Sequence, residues 1–274
     1  MRSERLIALA TTLLGILAQS SALADGATSD DRIAVSADGA TLTGTNGGGG
    51  GSLTWLHDFE PGTLAGIAVE HQVLANSQWT FGSLNGSKSL GSDNQHYNLY
   101  GEVHEGGGVD NSHSFRYEIE AAGIFGTFYH KLSAQLEDKR VDVEFSHGNL
   151  PKAGLSYLWG PHLLTTASYQ YSVGGNLGTR IEAVRADVYA AKMTFFAGAA
   201  LGPASPAIFD IETTAINRGP VLLVRAHELH EEYLGLTKPF ARWHSELTVA
   251  ADYLDLSGIA RASLTISYIF HLGG

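Results

Sequence analysis

The sequence contains no cysteine, and only 16% of its 274 residues are charged, against roughly a quarter in an average soluble domain. The first absence excludes a disulfide scaffold, a cysteine zinc site, a redox thiol and a lipid anchor on an N-terminal cysteine. Basic side chains are also scarce. Seventeen Lys and Arg stand against 28 Asp and Glu, a net charge of −11, and a nucleic-acid partner would need cations to neutralise its phosphates. Beyond the N-terminal stretch, no apolar run reaches the roughly 18 residues that a membrane-spanning helix needs. Helical periodicity is thin: Ile181–Met193 and Leu222–Tyr233, the best candidates, fit a period of two at least as well.

The first residues read as an export signal. Arg2 and Arg5 precede an apolar run from Leu6 to Ala18, and Ala22-Leu23-Ala24 supplies small residues at the recognition positions before Asp25. The run is too short to span a bilayer. The expected organisation is therefore a signal peptide at 1–24 and one domain at 25–274. Cleavage near Ala24 removes Arg2, Arg5 and Glu4 and takes the net charge from −11 to −12.

What the remainder has is alternation. Tyr97, Leu99 and Val103 share one face of a period-two pattern, with Glu102 and His104 on the other. Arg116, Glu118 and Glu120 alternate with Phe115, Tyr117 and Ile119. Asp142 and Glu144 alternate with Val141, Val143 and Phe145, while Trp243, Leu247, Val249, Ala251 and Tyr253 oppose His244, Glu246, Thr248 and Asp252. Such strands have one wet and one apolar face. Turn signals recur at Glu60–Thr63, Asn85-Gly86, Gly106–Gly108, Asn149–Pro151, Trp159–Pro161, Gly174–Asn176, Gly202-Pro203, Arg218–Pro220 and Ser257-Gly258. The run Gly47–Gly51 reads as a flexible first hairpin loop.

A soluble sandwich and a membrane barrel both alternate, so other features choose between them. The export signal takes the chain across the inner membrane. Trp55, Trp79, Tyr129, Tyr157, Trp159, Tyr233, Trp243 and Tyr268 fall near expected strand ends, as interfacial girdles require. The end of the chain adds a third feature: Leu264, Ile266, Tyr268 and Phe270 form one apolar, aromatic row closing in Tyr-x-Phe. That row resembles the C-terminal strand of bacterial outer-membrane β-barrels, with Thr265 where those proteins usually carry glycine. The resemblance implies recognition by the barrel-assembly machinery, closure of the ring by this strand and outer-membrane lipids as surroundings.

The expected fold is thus all-β, a transmembrane antiparallel up-and-down β-barrel of about 12 strands, with 10 to 14 acceptable on length. The one-domain layout, Tyr233-Leu234-Gly235-Leu236-Thr237-Lys238-Pro239-Phe240 and the closing strand resemble the YaiO-like outer-membrane proteins, which implies a surface or exopolysaccharide-associated role.

The polar faces supply the candidate site. Glu102, His104, Arg116, Glu118, Glu120, Asp142, Glu144, Arg242, His244 and Glu246 are expected to face the lumen, with acids in excess, so an open pore would favour cations. The same residues could instead pair and fill a closed ring. No metal or cofactor is expected: His227 and His230, three apart, point to opposite faces of a strand. Catalysis is not expected either. Ser146-His147 resembles the His-x-Ser-Asn neighbourhood of the lipid A deacylases only with the nucleophile misplaced. The expected function is a narrow channel or an export or surface barrel serving a small solute or polysaccharide. A rim-active lipid-modifying enzyme and a soluble periplasmic β-sandwich that binds a ligand are the alternatives.

Overall fold

A computed structural model describes residues 31–43, 47–60, 63–74, 77–92, 95–108, 115–127, 132–143, 146–205 and 227–272. Fifteen strands occur among the described residues: β1 (Asp31–Leu42), β2 (Gly48–Glu60), β3 (Thr63–Leu74), β4 (Ser77–Ser92), β5 (Gln95–Gly108), β6 (Phe115–Thr127), β7 (Leu132–Val143), β8 (Ser146–Asn149), β9 (Lys152–Trp159), β10 (Leu163–Tyr171), β11 (Arg180–Ala190), β12 (Met193–Ala204), β13 (His227–Phe240), β14 (Ser245–Leu256) and β15 (Ile259–Leu272). Residues 1–24, the expected export signal, lie outside the described ones.

Each strand pairs antiparallel with its sequence neighbours, and β1 pairs along its whole length with β15, from Asp31 opposite Leu272 to Leu42 opposite Arg261. Because β6 also pairs with β7, the ladder runs round without an edge. β8 and β9 share one place in the ring. β8 pairs with Arg140–Val143 and β9 with Leu132–Glu137 of the same strand, because Pro151 has no amide hydrogen to continue the ladder across Asn149–Lys152. The described residues therefore form a ring of fourteen places, at the upper end of the expected range.

Four turn readings are corrected by the structure, one of them Gly106–Gly108, which ends β5 paired with Trp79–Phe81 of β4. Gly48–Gly51 lie inside β2, paired with Ala37–Ala40, and only Gly47, at φ 73°, belongs to the hairpin turn. A Cβ on Gly49 or Gly51 would sit 2.7 or 2.8 Å from a carbonyl oxygen of β1, so here glycine serves close backbone approach and not flexibility. Asn85-Gly86 lies in the middle of β4 and Gly202-Pro203 inside β12. Among the described residues, tight turns occur at Ala191-Lys192 (φ 53° and 59°), which carries no turn signal, and at the expected Ser257-Gly258 (φ 51° and 89°), two-residue hairpins with both central residues left-handed, the twist that matches antiparallel strands.

The two ends of the ring differ. Asp31 and Leu272 lie at one end, where the connections span 61–62, 93–94, 128–131, 160–162, 191–192 and 241–244. At the other end they span 43–47, 75–76, 109–114, 144–145, 172–179, 205–226 and 257–258, so the four longest connections share this end with three short ones. The outward face is apolar: Leu53, Leu84, Leu155, Val184, Leu234 and Leu264 are each half or more exposed, which suits a hydrocarbon solvent and not water. Aromatic side chains ring the short-turn end on this face, with Trp55, Tyr157, Trp159, Phe195, Trp243 and Phe270 all exposed. Tyr169, Tyr171 and Tyr253 answer them toward the long-loop end. Among the described girdle candidates, Tyr233 points inward.

Tyr233 and Phe196 fix the register of β12 and β13 reciprocally. Tyr233 stands opposite Gly198 and Phe196 opposite Gly235, and each ring occupies the space that a Cβ on its glycine partner would need. Gly235→Ala would drive a methyl group into the Phe196 ring and to 2.6 Å from the Val249 carbonyl oxygen. The expected cost is about 1–3 kcal/mol, read as a lower urea midpoint of the refolded barrel by heat-modifiable gel migration.

Candidate functional site: the lumen

The inward face is built from the alternate residues of each strand. At the short-turn end, Arg32 of β1 is buried and its Nη2 donates to Asp58 Oδ2 of β2 at 2.7 Å, while Glu246 of β14 is also buried. Midway, Arg185 of β11 grips Asp187 through three hydrogen bonds of 2.6 to 3.0 Å, and its guanidinium lies 4.7 Å above the Phe196 ring. Facing residues add Lys152 to Glu137 at 3.0 Å between β9 and β7, and hydroxyl pairs Ser36–Ser52, Ser156–Thr166 and Thr237–Thr248 between neighbouring strands. Nearer the long-loop end, Arg261 is fully buried, with Nη2 donating to Asp252 at 3.2 Å and the carboxylates of Glu231 and Asp38 close enough to act on its charge. Asp252 also accepts a hydrogen bond from Ser263.

Above Arg261 the wall becomes apolar. Leu42, Leu229, Leu254, Leu256, Ile259 and Ile181 point inward and form one buried cluster with Leu150 and Leu177. Leu177 comes from the β10–β11 connection, which is tied down. The Asn176 amide donates to His147 O, and the Asn176 side-chain oxygen accepts from the His147 amide. Ser172 and Thr179 bond each other twice, and Thr179 Oγ1 accepts from the Ser205 amide. Gly148 and Gly175 permit this approach, since a Cβ on either would meet the facing backbone. The lumen wall thus carries paired charges, with an apolar cluster on β1 and β11–β15 toward the long-loop end.

The sequence-derived candidates distribute as follows. Glu246 is inward and buried. For Glu102, His104, Arg116, Glu118 and Glu120 the side chains lie outside the described ones, but the register is clear. Asn85, inward on β4, stands opposite Glu102, which stands opposite Glu120, which stands opposite the buried Lys139. His104 and Glu118 follow the same face two residues on. Asp142 stands opposite Tyr117 of β6 and His147 of β8, and its side chain too lies outside the described ones. Glu144 lies outside the described residues, as does the side chain of Arg242. His244 is no part of the lumen wall either. It is an exposed turn residue at φ 44°, because the strand expected to begin at Trp243 begins at Ser245. Leu264, Ile266, Tyr268 and Phe270 all sit on the outer face of the closing strand, with the Tyr268 hydroxyl donating to Ser245 Oγ at 2.7 Å.

Sequence reasoning missed most of the described lumen charges: Arg32, Asp58, Glu137, Lys152, Arg185, Asp187 and Arg261. A usable signal existed in β11, where Arg185 and Asp187 are the polar members of an alternating segment. Among described inward side chains the carboxylates Asp38, Asp58, Glu70, Glu137, Asp187, Glu231, Glu246 and Asp252 outnumber the cations Arg32, Lys139, Lys152, Arg185 and Arg261. His230, by contrast, is outward and exposed, paired with Glu232 at 3.1 Å, while His227 lies on the opposite face.

No protein-family model matches the chain and no curated protein matches it in sequence. Solved structures do. A mutant of the monoaromatic hydrocarbon channel TodX is similar with a TM-score of 0.56 and 8% identity, over 94% of this chain and 92% of that one. The monoaromatic hydrocarbon channel CymD gives 0.50 and 9%, over 94% and 91%. The Acinetobacter baumannii outer membrane protein Omp33 gives 0.49 and 11%, over 89% and 99%. The fold is that of an outer-membrane β-barrel.

Paired charges inside a ring imply a specific mutational pattern. Asp187→Ala leaves Arg185 buried without its bidentate partner and is expected to cost about 3–5 kcal/mol, whereas Arg185→Met with Asp187→Leu removes both charges and is expected to restore most of that loss. Urea midpoints of the refolded single and double variants check this.

Proposed function

We propose that this protein is a narrow, gated channel of the outer membrane, with its short-turn end toward the periplasm and its long-loop end outside. The observation that carries the reading is the change of wall along one axis. Charged and hydroxyl side chains line the ring from the short-turn end, and an apolar cluster that includes Leu177 of a surface connection lines β1 and β11–β15 at the other. Hydrophobic constrictions hold a pore shut by excluding water from the gap, and a connection folded onto the mouth is an element that can move without breaking the ring.

The excess of inward carboxylates gives such a pore a preference for cations once it opens. In this reading the chain performs no covalent chemistry, and the YaiO-like resemblance of Tyr233–Phe240 and of the closing strand is one of surface role.

Single-channel recording of the refolded chain in planar bilayers tests the proposal. The wild type is expected to show rare openings with a cation-selective reversal potential under a salt gradient. Leu177→Ser, which puts a hydroxyl into the apolar cluster, is expected to raise the open probability about tenfold or more. A folded barrel that stays silent in both forms would sink the channel reading.

A further inference from the structure

In the short-turn half of β9–β15 the outward residues are apolar, aromatic or hydroxyl-bearing, with one exception among the described residues. Lys238 of β13 points outward in line with Leu234 and Leu236 and is exposed. Its ammonium lies over the Phe240 ring, 5.3 Å from the centroid and two residues nearer the turn, and Trp243 of the turn stacks on Phe240 at 5.6 Å. A long amine stem reaches in this way from an apolar surface toward water.

The ring faces attract the cation, but they carry no net charge to neutralise it. Carboxylates do not supply one either. Among the described residues Lys238 has no ion pair, whereas Lys88 meets Glu60 and Lys152 meets Glu137, each at 3.0 Å. The connections around it, 160–162, 191–192 and 241–244, contribute His162, Lys192, Arg242 and His244 and no acid. This stretch of rim is therefore a basic arc on a lipid-facing wall. A lysine on such a face is tolerated near the membrane interface, where anionic headgroups supply the counter-charge. Deeper in the wall an apolar strip follows, Leu236 opposite Val249 and Val249 opposite Ile266.

We propose that Lys238, Phe240 and Trp243 form a binding site for an anionic phospholipid, with the headgroup phosphate on the ammonium and an acyl chain along Leu236, Val249 and Ile266. A free phosphate would use the ammonium alone, so the strip commits the site to lipid. The site takes from the channel reading only the orientation of the ring, and its occupancy is measured without conduction. Native mass spectrometry of the refolded barrel, titrated at low salt with phosphatidylglycerol and separately with phosphatidylcholine, tests it. One phosphatidylglycerol is expected to be held about fivefold more tightly than phosphatidylcholine, the worth of one cation near an anionic headgroup. Lys238→Gln should erase that preference and Lys238→Arg should keep it, while Trp243→Ala should weaken both lipids alike. Lys238 is exposed, and heat-modifiable migration confirms that each variant is folded. Equal retention of the two lipids by the wild type would overturn the proposal. So would a preference that survives Lys238→Gln, or inorganic phosphate held as tightly as phosphatidylglycerol, the mark of a plain anion site. A silent barrel that keeps the preference removes the channel and leaves this site, whereas a conducting barrel without it does the reverse.

Discussion

Closure of the hydrogen-bond ring is the constraint from which the rest follows. Inside hydrocarbon an unpaired amide or carbonyl costs several kcal/mol, so a sheet that crosses a bilayer can have no edge. The pairing of β1 with β15 over twelve registered residue pairs meets that demand, and it explains why a chain without cysteine needs no covalent staple. It also explains the break at Pro151. A missing donor in the ladder is tolerated where β8 and β9 divide the length of one partner strand and the gap lies close to the loop end.

Once the ring is closed, each strand has an inside and an outside, and their chemistries diverge. The outer face carries large apolar side chains between aromatic belts. The inner face holds charges in cross-strand and same-strand pairs, which a low-dielectric interior tolerates only when partners are at hand. The aromatic–glycine exchanges between β12 and β13 belong to the same logic. Between these two strands bulk on one is accommodated where the other carries glycine.

Legibility in the sequence followed physical range. Period two was readable wherever a strand separates lipid from lumen, hence the facing of Glu246, of the Glu102–Glu120 register and of the closing row Leu264, Ile266, Tyr268 and Phe270. Turns were less readable. Glycine marks both a bend and a close approach of two backbones, and Gly48–Gly51 serve the second purpose while resembling the first. His244 failed at a boundary, where one turn residue in the left-handed region shifts the strand start from Trp243 to Ser245.

Composition and alternation by themselves determined an all-β chain with one apolar and one polar face, because side-chain direction along a strand is set by local geometry. The number of places in the ring, the partner of each charge and the apolar cluster around Leu177 were decided only by tertiary structure. These depend on register between residues far apart in the chain, such as Ala34 beside Ile269, and register is a property of the closed ring that no single strand carries.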